Sequence, residues 1–192
     1  MKLLWQSIML TIVFTVMTGV IYPLVITGIS QVAFHDQANG SLLVDRAGTV
    51  RGSKLLAQNF SGDKYFQPRP SAAGNGYDPT ASGGSNYGPT NKKLIDRVQA
   101  SVDQFRKDNP DYHGAIPADL LTASASGLDP HISPDSAIAQ VPRVAKARGV
   151  TPDRINTLVA SLTEGPDLGV LGEPRVNVLK LNMELDRQYP HR

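Results

Sequence analysis

The sequence predicts a single N-terminal transmembrane helix plus an α+β soluble domain on the extracytoplasmic side. Three observations lead there. Residues from Leu3 to Phe34 contain no Asp, Glu, Lys or Arg; short strand-like runs broken by turn residues follow; and periodic apolar patterns with helix-capping signals fill the second half of the chain. The expected divisions are a cytoplasmic tail (1–6), a span (7–29), a linker (30–40) and the soluble domain (41–192).

The span runs from Ser7 to Ile29, and about 20 helical residues cover the roughly 30 Å hydrocarbon core. A cleaved signal peptide would have an apolar stretch of only about 7–15 residues ending in an A-x-A-like site, and this segment has neither feature. Pro23 predicts a kink, which membrane helices tolerate when neighbouring groups satisfy the freed carbonyl. Thr11, Thr15, Thr18 and Gly19 make one side small and weakly polar, a candidate face for helix docking; ordinary lipid-facing residues are the alternative. Lys2 and the amino terminus flank one end while His35 and Asp36 follow the other, so the positive-inside rule favours a cytoplasmic N-terminus and an outer domain.

Within the domain, Ser41–Val44 and Thr49–Gly52 read as two strands around a turn at Asp45–Gly48, and Lys54–Phe60 as a third strand. Ser61–Pro89 is dominated by Gly, Pro, Ser and Asn, an irregular stretch long enough to suggest recognition. Thr90 or Asn91 then caps an amphipathic helix carrying Leu94, Ile95, Val98, Val102 and Phe105, which ends near Asn109-Pro110. Ser133-Pro134-Asp135 opens a helix that Gly149 closes, and Thr151-Pro152-Asp153 repeats the opening for a helix ending near Gly165-Pro166. Asn177 caps a last helix with Val178, Leu181 and Leu185 on one face, although Val176 and Val178 also alternate as in a strand. The expectation is strands mainly early and helices mainly late.

Composition narrows the function. A net charge of +2 with basic residues spread among acidic ones argues against nucleic acid. The absence of cysteine excludes disulfides, thiolate metal sites and cysteine nucleophiles. His35, His113, His131 and His191 are scattered, with no H-E-x-x-H pair. Asp129, His131 and Asp135 are the nearest approach to a metal cluster, but they lie just before a helix start, where turn and capping roles are expected. Ser61 and Lys64 match S-x-x-K without the accompanying S-D-N and K-T-G, no G-x-S-x-G elbow occurs, and the phosphate-binding G-x-x-x-x-G-K-[ST] is absent. No catalytic residue, metal site or cofactor has sequence support.

Several stretches together are specific: Y-P-L (22–24), A-N-G-S-L-L (38–43), Y-F-Q-P-R-P-S (65–71), A-S-G-G-S-N (81–86), L-T-A-S-A-S-G-L-D-P-H-I-S-P (121–134), Q-V-P-R-V-A-K-A-R (140–148) and V-N-V-L-K-L-N (176–182). In this order behind this span, the chain closely resembles the C subunits of the Kdp high-affinity potassium-transporting P-type ATPase. The resemblance covers nearly the whole sequence. It implies a bacterial inner-membrane complex in which an A subunit selects potassium, a B subunit hydrolyses ATP and a small F subunit assists. The C subunit would be a non-catalytic accessory supporting assembly and the ATP affinity of the B subunit, with ATP and potassium handled by the complex. A membrane-anchored extracytoplasmic hydrolase and a ligand-binding module are the rival readings.

Within the matching stretches, Arg69 lies between Pro68 and Pro70, which fix the local backbone and would aim its guanidinium at a carboxylate or carbonyl. Ser124, Ser126, Gly127 and Asp129 belong to a run of small and turn-forming residues suited to close packing, either inside the domain or against a partner subunit. These five are the candidate partner contacts.

Overall fold

A computed structural model describes residues 1–190, so His191 and Arg192 lie outside the described residues. The chain divides into two units, Met1–Leu42 and Leu43 onward.

The first unit is dominated by an apolar helix from Lys2 to Ala33, long and apolar enough to cross a membrane. It consists of α1 (Lys2–Val16), a π turn (Met17–Ile21) and α2 (Tyr22–Ala33). The π turn is where Pro23 acts. Proline has no N–H to give the carbonyl four residues back and its ring crowds that carbonyl. The chain absorbs the misfit by widening one turn, and Tyr22 N–H bonds to Met17 O, five residues back. Ser7 and Ile29 therefore lie inside a helix that continues beyond both. Its 32 residues would measure about 48 Å at α-helical rise, so either the ends project beyond the hydrocarbon or the helix tilts. Residues 30–40, read as a linker, are helical over Ser30–Ala33 and in the short α3 (His35–Ala38).

The early hairpin forms, with β1 (Leu42–Val44) beside β2 (Val50–Ser53). Asp45 organises its turn: the carboxylate accepts from the Ala47 and Thr49 amides, both at 2.9 Å, and from Arg51 Nε at 2.7 Å. Lys54–Phe60 is not a strand. Its backbone finds scattered partners instead of a ladder: Lys54 O accepts from the Asn177 side chain at 2.8 Å, and Ala57 N–H donates to Leu128 O at 2.9 Å.

Helix α4 (Lys92–Asp108) starts at Asn91, whose side chain accepts from the Lys93 amide at 2.9 Å. A 3₁₀ turn (Ala118–Leu120) leads to β3 (His131–Ile132) and then α5 (Pro134–Arg148). Ser133 caps α5 through the Ser136 amide, and Gly149 ends it at φ +66°, the left-handed conformation that glycine adopts freely. α6 (Pro152–Leu162) follows; Thr151 occupies its cap position without a side-chain cap bond. That helix stops at Leu162, before Gly165, because Thr163–Glu164 form β4, which pairs with β5 (Arg175–Asn177). α7 (Val178–Gln188) is the last element among the described residues, capped by Asn177, whose side chain accepts from the Lys180 amide at 3.1 Å.

The expected order of strands early and helices late is corrected here. The central sheet, β3-β5-β4 and antiparallel, comes wholly from the second half of the domain. Against it pack α5, α6 and α7, around Phe66, Ile132, Val144, Ile155, Val176, Leu181 and Leu185. Burial of this apolar set supplies the main stabilisation, at about 25 cal/mol per Å² removed from water.

Candidate functional site

The irregular stretch after Ser61 is held in place by buried polar side chains on α5 and α7. Asn182 accepts from the Phe66 amide and donates to the Phe66 carbonyl, both at 2.9 Å, as a neighbouring strand would. Gln140 does the same for Gln67, at 2.8 and 3.2 Å. Arg143, only 5% exposed, joins five groups: Asn109 Oδ1 (2.8 Å), Gln140 Oε1 (2.8 Å) and the carbonyls of Gly62 (3.2 Å), Asp63 (2.9 Å) and Tyr65 (3.0 Å). Burial pulls this guanidinium below its ordinary value, with Asp63 and Asp108 opposing, and it remains a cation at any ordinary pH. Arg148 adds a bond from Nε to Lys64 O at 2.9 Å and lies over the Tyr65 ring.

This framework presents Arg69. Its guanidinium meets Asp129 Oδ2 at 2.9 Å, and its carbonyl accepts from the Tyr77 hydroxyl at 2.6 Å. Burial pushes that hydroxyl up to about 12. Two residues singled out separately in the sequence are thus partners across the fold. Asp129 also accepts from the His131 amide at 3.0 Å, the turn role expected of it. Burial raises the Asp129 carboxyl, but the His131 hydrogen bonds and the Arg69 guanidinium outweigh burial and hold it below the usual aspartate range.

The sign of the pH effect follows. A carboxyl depressed in the folded state stabilises the fold above its unfolded value, and that stabilisation is lost as pH falls through the folded value. A carboxyl NMR titration should place Asp129 below free aspartate. Asp129→Asn should cost about 1–2 kcal/mol at neutral pH and flatten the acid limb of the stability curve; an unchanged acid limb would count against the pairing.

Of the small residues, Ser124 and Gly127 are buried inside the domain, which leaves Arg69, Ser126 and Asp129 as the candidate contacts with exposed surface. Gly127 sits at φ +68°, and a Cβ there would lie 2.6 Å from Ala73 N and 2.7 Å from Gly83 O. Ser71 Oγ donates to Gly127 O at 2.6 Å, and Gly83 N–H donates to Ser126 O at 2.9 Å. The S-G-G-S and S-A-S-G runs are therefore packed backbone to backbone, which explains their small side chains.

An open groove of about 520 Å³ runs beside this pair, lined among others by Arg69, Asp119, Asp129, His131, Glu173 and Arg175. The serine in its lining, Ser133, is committed to capping α5, backed by Ser136 beneath it. Ser136 Oγ donates to Asp119 Oδ1 at 2.6 Å, Ser133 N–H donates to Asp119 Oδ2 at 2.7 Å, and Ser136 is fully buried. Among the described residues no group of three or more His, Asp or Glu is placed to hold a metal ion. Mixed charges on a fixed frame suit recognition of a polar surface.

On the apolar helix, Thr11 and Thr18 donate their hydroxyls to Ser7 O (2.8 Å) and Phe14 O (2.7 Å). That spends both hydroxyls within the helix, and a Cβ added at Gly19 would meet nothing within 4 Å. Thr15 lies on the same side in α1, while Thr18 and Gly19 belong to the π turn.

Comparison with known proteins gives one consistent result. The family described as K+-transporting ATPase, c chain, matches residues 4–187. A potassium-transporting ATPase KdpC subunit from Rhodospirillum rubrum is 52% identical over 190 residues, covering 99% of this chain and 98% of the relative. The subunit of the same name from Myxococcus xanthus is 53% identical over 178 residues (93% and 84%), and that from Geobacter sulfurreducens 51% over 191 (99% and 100%).

Proposed function

The chain belongs to the KdpC family, the c chains of the K+-transporting ATPase, and from that premise we propose that it is a non-catalytic accessory subunit of an ATP-driven potassium-import complex in the bacterial inner membrane. Coverage carries the reading. The match over 4–187 takes in the apolar helix and the folded domain together, so the likeness is to the whole architecture. Its partners are a potassium-selecting A subunit, an ATP-hydrolysing B subunit and a small F subunit, which handle potassium and ATP between them.

The uncharged helix preceded by Lys2 supports a cytoplasmic N-terminus and a periplasmic domain. In that arrangement the domain cannot touch cytoplasmic nucleotide. Its support of ATP affinity is then indirect, a coupling of about 1–3 kcal/mol carried by partner helices. The Thr11, Thr15, Thr18 and Gly19 face is the proposed contact for those helices, because small residues let backbones approach in lipid.

An affinity-tagged chain extracted in mild detergent should bring down a P-type ATPase subunit, with potassium-stimulated ATP hydrolysis in the eluate. The chain recovered alone overturns the reading. Leucines at the four small positions should lower recovery, and unchanged recovery discards that face. Asn156→Cys, on an exposed helix surface of a thiol-free chain, should react with an impermeant reagent in intact spheroplasts; labelling only after lysis reverses the orientation.

A further inference from the structure

The loop joining β4 to β5 carries an apolar tip that the fold leaves uncovered. Leu168 and Val170, 90% and 80% exposed, are the most exposed large apolar residues of the domain among those described, and Leu171 stands beside them at 58%. The tip is built stiffly. Asp167 and Leu171 exchange backbone bonds of 2.8 and 2.9 Å, Gly169 N–H donates to Pro166 O at 3.1 Å, and Arg175 holds the Asp167 carboxylate at 3.2 Å. Leu168 adopts φ +53°, a left-handed conformation in which a leucine is strained and a glycine is not. A turn alone would be better served by glycine, so the strain is tolerated for a side chain that makes no use of the domain's own core.

Charge and area identify the occupant. Residues 163–175 carry Glu164, Asp167 and Glu173 against Arg175, with no Lys, Trp or Tyr; Lys180 also pairs with Glu164 at 2.7 Å, which leaves three acids to two bases around the tip. A lipid surface selects the opposite, basic and aromatic flanks around an apolar tip. The acidic rim is instead complementary to a protein pocket with apolar walls and basic residues at its mouth. Three such side chains offer a few hundred Å², short of the roughly 800 Å² per partner that a free-standing interface buries. The tip therefore cannot hold a free partner or a second copy by itself. It can anchor a partner already kept alongside by a membrane tether, which supplies a high effective concentration. We propose that Leu168, Val170 and Leu171 form a docking knob that seats in an apolar, basic-rimmed pocket on another membrane-embedded subunit of the same complex. The proposal rests on the family-based reading above.

The test uses the assembled complex. A photo-crosslinking residue at Leu168 should join this chain to another subunit. Leu168→Ser, Val170→Ser and Leu171→Ser together should lower its recovery with the ATPase at least about tenfold, with the circular dichroism of the chain unchanged. Leu168→Gly keeps the turn and relieves its strain, so it should also weaken recovery while the melting temperature does not fall. Crosslinks confined to lipid or to a second copy of this chain, or full recovery of the triple variant, overturn the knob while wild-type recovery leaves the subunit reading intact. A wild-type chain that brings down no ATPase subunit overturns both.

Discussion

Arg143→Ala should destabilise the domain by about 3–5 kcal/mol, because it removes a buried, fully bonded cation and strands its acceptors. The carbonyls of Gly62, Asp63 and Tyr65 and the side chains of Asn109 and Gln140 would all lose the same donor group. For a domain of this size the melting temperature should fall by about 10 °C or more, followed by far-UV circular dichroism in detergent. Arg143→Lys keeps the charge but not the fork, so it should recover only a minor part of the loss. A decrease in stability below about 1 kcal/mol would mean that the loop after Ser61 does not depend on this residue. The Arg69–Asp129 pair should feel the same change, since Arg69 is reached through the backbone that Arg143 holds.

Gly127→Ala should cost about 2–4 kcal/mol, combining a left-handed alanine with contacts too close to Ala73 and Gly83. The damage should concentrate where the two small-residue runs meet. Hydrogen exchange should quicken at the Gly83 amide, which bonds to Ser126 O, before it quickens in α5 or α6. Ser126→Ala, on an exposed position, should leave exchange in α5 and α6 unaltered. Wild-type protection at Gly83 in the Gly127→Ala chain would show that the runs can separate without cost.

The helices of the domain were legible because their signals are local. Asn91, Ser133 and Asn177 each cap through a backbone amide two or three residues on, and Gly149 stops α5 by its own conformation. The central sheet was not legible. β3 and β4 are two residues long, too short to show alternation, and β3 finds its register by pairing His131 with Asn177, far along the chain. The ambiguity at Val176 and Val178 has a physical answer, since the chain is a strand up to Asn177 and a helix after it.

At the candidate site, P-R-P marked Arg69 and the turn marked Asp129, but nothing local joined residues 60 positions apart. Arg143 was missed for another reason. A charged residue in a helix is ordinarily solvated. The available signal was spacing: Ser136, Gln140 and Arg143 recur at i, i+4 and i+7 beside Ala137, Val141 and Val144, placing a polar stripe next to the apolar face of α5.

The widened turn at Met17–Ile21 also fixes an azimuth. A π turn holds one residue more than an α turn, so the side chains beyond it point in directions that a uniform helix would not give them. An even α-helical winding through the same residues would swing Tyr22–Ala33 by about 100° relative to Lys2–Val16. The two halves of the apolar helix are thus aimed independently, and one strip of neighbours on its first half need not be the strip met by its second.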